Sequence, residues 1–294
     1  MSRTAPGTLF LVATPIGNLE DITRRAVRVL GECDLVACED TRHTRKLLAH
    51  LGISKPTISY HEHNEAARTP ELLGKLGQGA SIALVSDAGT PLVSDPGYRL
   101  VRAAVDAGIT VTPVPGPSAV VAALAASGLP AGSFRFGGFL PPKPSQRARV
   151  LEGLKNEPAT IVFYEAPHRV LGTLAQVEQI LGARPVVVAR ELTKVHEEFL
   201  RGTAAEIRAE LARRGGVKGE ITLLIGRGET AAGGPEPGEP AADEGVPLEQ
   251  AIADCIGRGI DRMEAIKAVA ARRGLPKREV YKRFLGRGRG MLKD

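Results

Sequence analysis

Between residues 9 and 116, short apolar runs rich in β-branched residues alternate with stretches of helical spacing. Strand character falls at 9–12, 35–37 and 57–60, and helical character at about 22–31 and 42–51. Strict alternation of this kind leaves few folds open, because a helical crossover returns the chain to the same end of a sheet and makes neighbouring strands parallel. The helices carry their own punctuation. Asn64 stands as an N-cap before Glu65, and Gly108 closes the run 100–107 as a left-handed C-terminal glycine. With right-handed crossovers, the loops leaving the strands gather on one edge, which is where α/β folds hold ligands.

After Pro113-Val114-Pro115-Gly116-Pro117-Ser118 and a small-residue helix over 119–127, the character of the chain changes. Strands are expected at 134–139, 160–164, 185–190, 197–201 and 220–225, with helices at about 146–155, 169–181 and 205–214. Two of these strands are separated by a turn alone, so the second sheet is mixed. Apart from Thr230 and Val246, residues 229–246 are Gly, Pro, Ala and acid with almost nothing to bury, the composition of a flexible linker. Beyond it, helical spacing at 248–256, 262–273 and 277–285 reads as a three-helix unit of helix-turn-helix proportions. The expected organisation is therefore an α/β body of two subdomains, 1–117 and 118–228, a linker 229–246 and a helical module 247–294.

Charge follows the same division. The chain of 294 residues carries a net +6, and all of that excess lies in 247–294, while the body before it is neutral. A basic surface confined to one small module is the footprint of a nucleic-acid contact. Aromatic content is only 4% and Trp is absent, so base stacking is not the main recognition device. The three cysteines, Cys33, Cys38 and Cys255, lack partners at metal-binding spacing, which argues against both a disulfide framework and a zinc site and fits a reducing cytoplasm. No apolar run is long enough to span a bilayer, and the N-terminal residues lead straight into a strand rather than a signal segment.

Chemistry is concentrated in the strand-end loops. Ser86 to Gly97 read SDAGTPLVSDPG directly after the apolar run 82–85, with far more Asp, Ser, Thr, Gly and Pro than a reversal needs. Thr14-Pro15-Ile16-Gly17, Cys38-Glu39-Asp40-Thr41-Arg42 and Tyr60-His61-Glu62-His63-Asn64 occupy corresponding positions after other strands. In the second half, Tyr164-Glu165-Ala166-Pro167-His168-Arg169 and Arg190-Glu191-Leu192-Thr193-Lys194 do the same. Individually these have plainer readings: Asp40 as a helix cap with Arg42 at the surface, His168 as a residue of a helix start, Glu191 in an ion pair with Arg190. There is no G-x-x-x-x-G-K-[ST], no dinucleotide fingerprint after a strand, no G-x-S-x-G and no H-E-x-x-H, so P-loop, Rossmann, serine-hydrolase and zinc-protease readings have no support.

Taken in order, VATPIGNLEDIT, CEDTRHTRKLL, SDAGTPLVSDPG, PVPGPSA, FYEAPHR, RELTKVHEEFLRG and GEITLLI closely resemble the 16S ribosomal RNA (cytidine-2′-O)-methyltransferases of the tetrapyrrole-methylase superfamily, over about the first 226 residues. The tail resembles the small helical module at the C-terminus of those enzymes. The resemblance implies two α/β domains of tetrapyrrole-methylase type, S-adenosylmethionine folded into the cleft between them, a homodimer, and a cytidine ribose of the decoding region of 16S rRNA in the small ribosomal subunit as substrate. It implies cofactor contacts from Pro15, Asp87, Ala88, Gly89, Thr90, Pro91, Val93, Ser118, Tyr164, Leu192 and Thr222. Where corrin-methylating relatives read more like G-G-D-P, Ala88-Gly89-Thr90-Pro91 replaces a carboxylate by a hydroxyl.

Transfer of methyl from a sulfonium to a hydroxyl needs in-line alignment and a group to take the proton. Glu165 and His168 are the candidates for that base, and Asp40, Thr41, Arg42, His61 and Asn64 for holding the nucleotide. Two other classes share parts of the pattern. A tetrapyrrole C-methyltransferase would not need the basic tail, and a ligand-sensing nucleic-acid-binding regulator would leave the methylase-like loops without a role.

Overall fold

The computed structural model describes residues 6–227, 247–257, 260–273 and 275–286. Residues 1–228 and 229–294 form two compact units. The linker reading of 229–246 lies outside the described residues.

The first unit opens with β1 (Thr8–Val12), a single 3-10 turn (Leu19–Asp21), α1 (Arg24–Glu32), β2 (Leu35–Cys38), α2 (Thr41–His50), β3 (Thr57–Ser59), α3 (Glu65–Gly77), β4 (Ile82–Val85), α4 (Tyr98–Asp106) and β5 (Thr110–Val114). Its strands lie in the order β3-β2-β4-β1-β5 and every pair is parallel. All four residues of β4 are buried, as expected of a central strand covered on both faces by crossover helices. Successive residues alternate between two cores. Val12, Val36 and Val85 pack beneath α1, and Leu9, Ala37 and Leu84 pack with Leu72 and Leu76 of α3 and Leu100 of α4. The helix expected from residue 22 starts at Arg24, because Asn18 and Thr23 each accept a backbone N–H and divide the segment into the 3-10 turn and α1. Asn64 precedes α3 without capping it. Its side chain instead accepts the His61 N–H at 2.9 Å and donates to the Ser59 carbonyl at 3.2 Å, bracing the β3 exit.

The chain continues through α5 (Ala119–Ser127), β6 (Phe134–Phe139), α6 (Pro144–Glu152), β7 (Thr160–Glu165), α7 (Val170–Leu181), β8 (Pro185–Arg190), β9 (Glu198–Thr203), α8 (Ala204–Arg213) and β10 (Ile221–Ile225). This second sheet runs β6-β7-β10-β8-β9, with β6 parallel to β7 and the other neighbours antiparallel. It is mixed because β8 and β9 are joined by a turn, while β6 reaches β7 through α6. Its inner core of Ile161, Phe163, Val186, Val188, Leu223 and Ile225 is closed by α7 and α8. On the opposite face Val162, Val187, Ala189 and Leu224 meet Val120, Ala123 and Leu124 of α5 and Ile16 from the β1 exit. This shared apolar contact ties the two sheets into one unit.

The second unit holds α9 (Leu248–Gly257), α10 (Arg262–Arg272) and α11 (Lys277–Gly286). Ile252, Ala265, Ile266, Val269 and Val280 are fully buried and form its core. Arg262, Lys267, Lys277, Arg278, Lys282 and Arg283 lie on its exposed surface. Among the described residues no helix is long and apolar enough to cross a membrane.

Candidate functional site

The loops leaving β1 and β4 are stitched together. Thr14 and Gly89 exchange backbone hydrogen bonds at 2.9 and 3.0 Å, and the Thr14 hydroxyl donates to the Ser86 carbonyl at 3.1 Å. Gly89 adopts φ +85°, and a Cβ there would approach the Ile16 side chain to 3.3 Å, so glycine both turns the chain and lets the two loops meet. The Thr90 hydroxyl donates to the Pro117 carbonyl at 3.2 Å. That bond connects the same loop to Ser118, which caps α5 by accepting the Val121 N–H. Ser118 and Ala119, at the start of α5, therefore border the same space.

That space is a cavity of about 380 Å³ between the two sheets, within the range of small-molecule sites. Of the residues the sequence nominated for a cofactor, Asp87, Ala88, Gly89, Thr90, Val93, Ser118, Tyr164, Leu192 and Thr222 line it. Pro15 and Pro91 do not line it, whereas Ile16, next to Pro15, does. Asp40, Thr41, Arg42, His61 and Asn64 lie outside the cavity, at the neighbouring ends of β2 and β3. Asp40 caps α2 through the Arg42 N–H and also accepts from the Arg42 guanidinium at 2.8 Å. Those hydrogen bonds hold its carboxyl well below the usual range. The Asp40 N–H in turn donates to Asp87 at 3.1 Å, so the β2 exit orients the cavity's first carboxylate.

The two proposed bases sit differently. Glu165 borders the cavity with its side chain fully buried. One carboxylate oxygen accepts from the Ala166 N–H at 2.7 Å and pairs with Arg169 at 2.9 Å, and the other accepts from Thr173 at 2.6 Å. His168 is exposed and Ala166 and Pro167, not His168, reach the cavity wall. Arg190 pairs with Glu198, its partner across the β8–β9 ladder, rather than with its chain neighbour Glu191. Glu191 instead receives Lys194 at 2.9 Å and the Glu220 N–H at 2.9 Å.

Several lining groups were not singled out from the sequence. Phe139 reaches the wall because β6 bulges between Phe136 and Phe139, placing its ring 5.4 Å from that of Tyr164. The adjacent pair Gly137-Gly138 within a strand is the signal for such a bulge. Gly219 and Glu220 close the far side. Asp95, in the second Ser-Asp of the SDAGTPLVSDPG loop, is half-buried in the lining. Burial, together with the nearby charges of Glu39 and Asp87, pushes its carboxyl up to about 6, against a lowering hydrogen bond from Ser86. Burial and the charges of Asp95 and Glu220 push the Tyr164 hydroxyl up to about 12, so it stays protonated as a donor. The cavity thus has mostly apolar walls and an acidic end, the complement of a cation carried on an apolar body.

Two α/β sheets meeting over such a cleft define the tetrapyrrole-methylase class. The family model described as Tetrapyrrole (Corrin/Porphyrin) Methylases matches residues 8–208. Uroporphyrin-III-C-methyltransferase from Thermus thermophilus shares the fold with a TM-score of 0.53 at 24% identity, over 75% of this chain and 94% of its own. Diphthine synthase does so with a TM-score of 0.57 at 12% identity, over 75% and 90%. Curated relatives named ribosomal RNA small subunit methyltransferase I are closer in sequence. The protein from Halalkalibacterium halodurans is 51% identical over 95% of both chains, and that from Bacillus subtilis is 43% identical over 94% of this chain and 93% of its own. The chain belongs to the ribosomal RNA small subunit methyltransferase I family.

Proposed function

We propose that this protein transfers the methyl group of S-adenosylmethionine to the 2′-hydroxyl of a cytidine ribose in 16S rRNA of the small ribosomal subunit. The observation that carries the reading is the chemistry of the cleft in a chain of this family. Its apolar walls of Ile16, Ala119 and Leu192 suit an adenosine, and the carboxylate of Asp87 suits a donor that carries a sulfonium and an ammonium. The donor supplies an electrophilic methyl group. Pro15, Pro91 and the loop Asp87 to Thr90 with Val93 would shape one side of its site, and Ser118, Tyr164, Leu192 and Thr222 the other.

The nucleotide would be held at the β2 and β3 exits. Arg42 has its side chain 86% exposed while its guanidinium is oriented by Asp40, leaving it accessible to a phosphate. Thr41, His61 and Asn64 stand beside it. Glu165, with both oxygens engaged, would keep Ala166 and Arg169 in place beneath the ribose, and His168 would lie on the RNA side. The basic tail unit would add phosphate contacts from α11. Tyr98 and Val105, about two turns apart on the same face of α4 and both exposed, would form part of the surface covered in a homodimer. Cys33 and Cys38 are buried free thiols, which accords with work in a reducing cytoplasm.

Incubation of the protein with radiolabelled S-adenosylmethionine and small ribosomal subunits tests the reading. Label recovered in a 2′-O-methylated cytidine is the expected result. Label in a base, in a tetrapyrrole, or nowhere would overturn it.

A further inference from the structure

We propose that Asp95 is the general base of this reaction, accepting the proton of the ribose 2′-hydroxyl as its oxygen takes the methyl group. The inference deepens the ribose-methylation reading and rests on it. In the balanced step, the hydroxyl O–H bond breaks toward an Asp95 oxygen and an oxygen–carbon bond forms. The carbon–sulfur bond breaks with its electron pair returning to sulfur, which leaves a neutral thioether and a protonated Asp95.

The assignment follows from what each carboxylate of the cleft is already doing. Asp87 accepts the Asp40 N–H. Both oxygens of Glu165 are occupied by Ala166, Arg169 and Thr173. Glu220 is largely exposed and pairs with Lys194 at 3.2 Å. Asp95 lines the same cavity, and among the described residues no Lys, Arg or His pairs with it. On balance its surroundings raise its affinity for a proton, against one hydrogen bond from Ser86 that lowers it. Glu39 at the β2 exit and Asp87 at the β4 exit face it with like charge, and the Tyr164 hydroxyl faces it from β7. A carboxylate placed this way is poised near the working pH, as a base should be.

The backbone presents it deliberately. Leu92 and Ser94 both take left-handed conformations, at φ 71° and 68°, and Gly97 follows at φ 141°. A Cβ on Gly97 would lie 3.0 Å from Leu84 and 3.1 Å from Leu92, so the segment is held against the end of β4. Strain of this kind in non-glycine residues is maintained where a side chain must be aimed. Ser94 beside it lines the same cavity and is exposed, so the wall next to Asp95 is accessible from solvent.

Two variants and three readouts test the proposal. Asp95→Asn should lower kcat on small ribosomal subunits by about 10²- to 10⁴-fold, leave the affinity for S-adenosylmethionine measured by calorimetry within about threefold, and abolish the acid limb of the pH–rate profile. In the native protein that limb should fall near or below the carboxyl's value of about 6. Asp95→Glu should recover part of the loss and keep an acid limb. Native-like turnover in Asp95→Asn would overturn the assignment. So would a loss of donor affinity with kcat preserved, which would make Asp95 a ligand of the donor's cation. Should Asp95→Asn fail to fold, a native profile with no acid limb, or Asp95→Glu with native kcat and a flat profile, would still overturn it. If the native protein labels no ribose at all, the ribose-methylation reading fails instead, and calorimetry still reports whether Asp95 touches the donor.

Discussion

At Asp95 the protein keeps an anion facing two others, and that arrangement has a stability signature. Its carboxyl sits at about 6 in the folded chain, above the roughly 3.9 of an unfolded aspartate. Below about pH 4 both states hold the proton, and between there and about 6 only the folded state does, so native stability falls as pH rises through this window and stays reduced above it. Asp95→Asn is therefore expected to melt higher than the native protein at about pH 7.5 and at a similar temperature near pH 4, a difference that paired thermal melts would read. Glu165 makes the opposite case. Replacing Thr173 by Val deletes the donor to a buried carboxylate oxygen and should cost about 1–3 kcal/mol in urea unfolding. An unchanged midpoint would mean that water or Arg169 takes over the vacated position.

Among the elements, the segment after β8 shows how loops from two sheets are made to share one wall. Glu191 and Thr193 adopt left-handed φ of 52° and 66°, held by Lys194 bridging Glu191 and Glu220. Gly17 at the β1 exit fits against this turn because it has no side chain. A Cβ there would lie 2.4 Å from Lys194 Cγ and 3.0 Å from the Leu192 carbonyl. Gly17→Ala should therefore push the two loops apart and weaken S-adenosylmethionine binding at least about tenfold, with secondary structure retained by circular dichroism; native affinity would show that the loops separate without cost. Strands and helices of this kind were legible because each is a local pattern of apolar period and cap. The start of α1 moved from residue 22 to Arg24 because Asn18 and Thr23 each took a backbone N–H, whereas α3 starts at Glu65 as expected although Asn64 turned to Ser59 and His61 instead of capping it. The cavity loops were legible as polar excess after strands. The particular lining was not: Phe139 depends on a bulge, and Asp95 on how the turns at Leu92 and Ser94 aim one of several carboxylates.

The whole molecule combines a neutral α/β body with a basic helical unit that has its own core. Phosphate contacts made by that unit release counterions, so its contribution to RNA affinity should vanish first as salt rises. Removal of residues 230–294 is expected to weaken binding to small-subunit RNA and flatten its dependence on salt concentration, while calorimetry with S-adenosylmethionine gives the native constant. A salt slope equal to that of the full chain would place the phosphate contacts on the body instead. The chain's sequence by itself determined the parallel and mixed sheets, the polar loops at their ends and the separation of charge, because period, turn chemistry and net charge act over a few residues at a time. Only the tertiary structure decided which acid is held by hydrogen bonds and which is left facing like charges. That distinction depends on how Glu39 at the β2 exit, Asp87 and Asp95 in the β4 exit loop and Tyr164 of β7 are brought together, which is complete only when the two sheets close over one cleft.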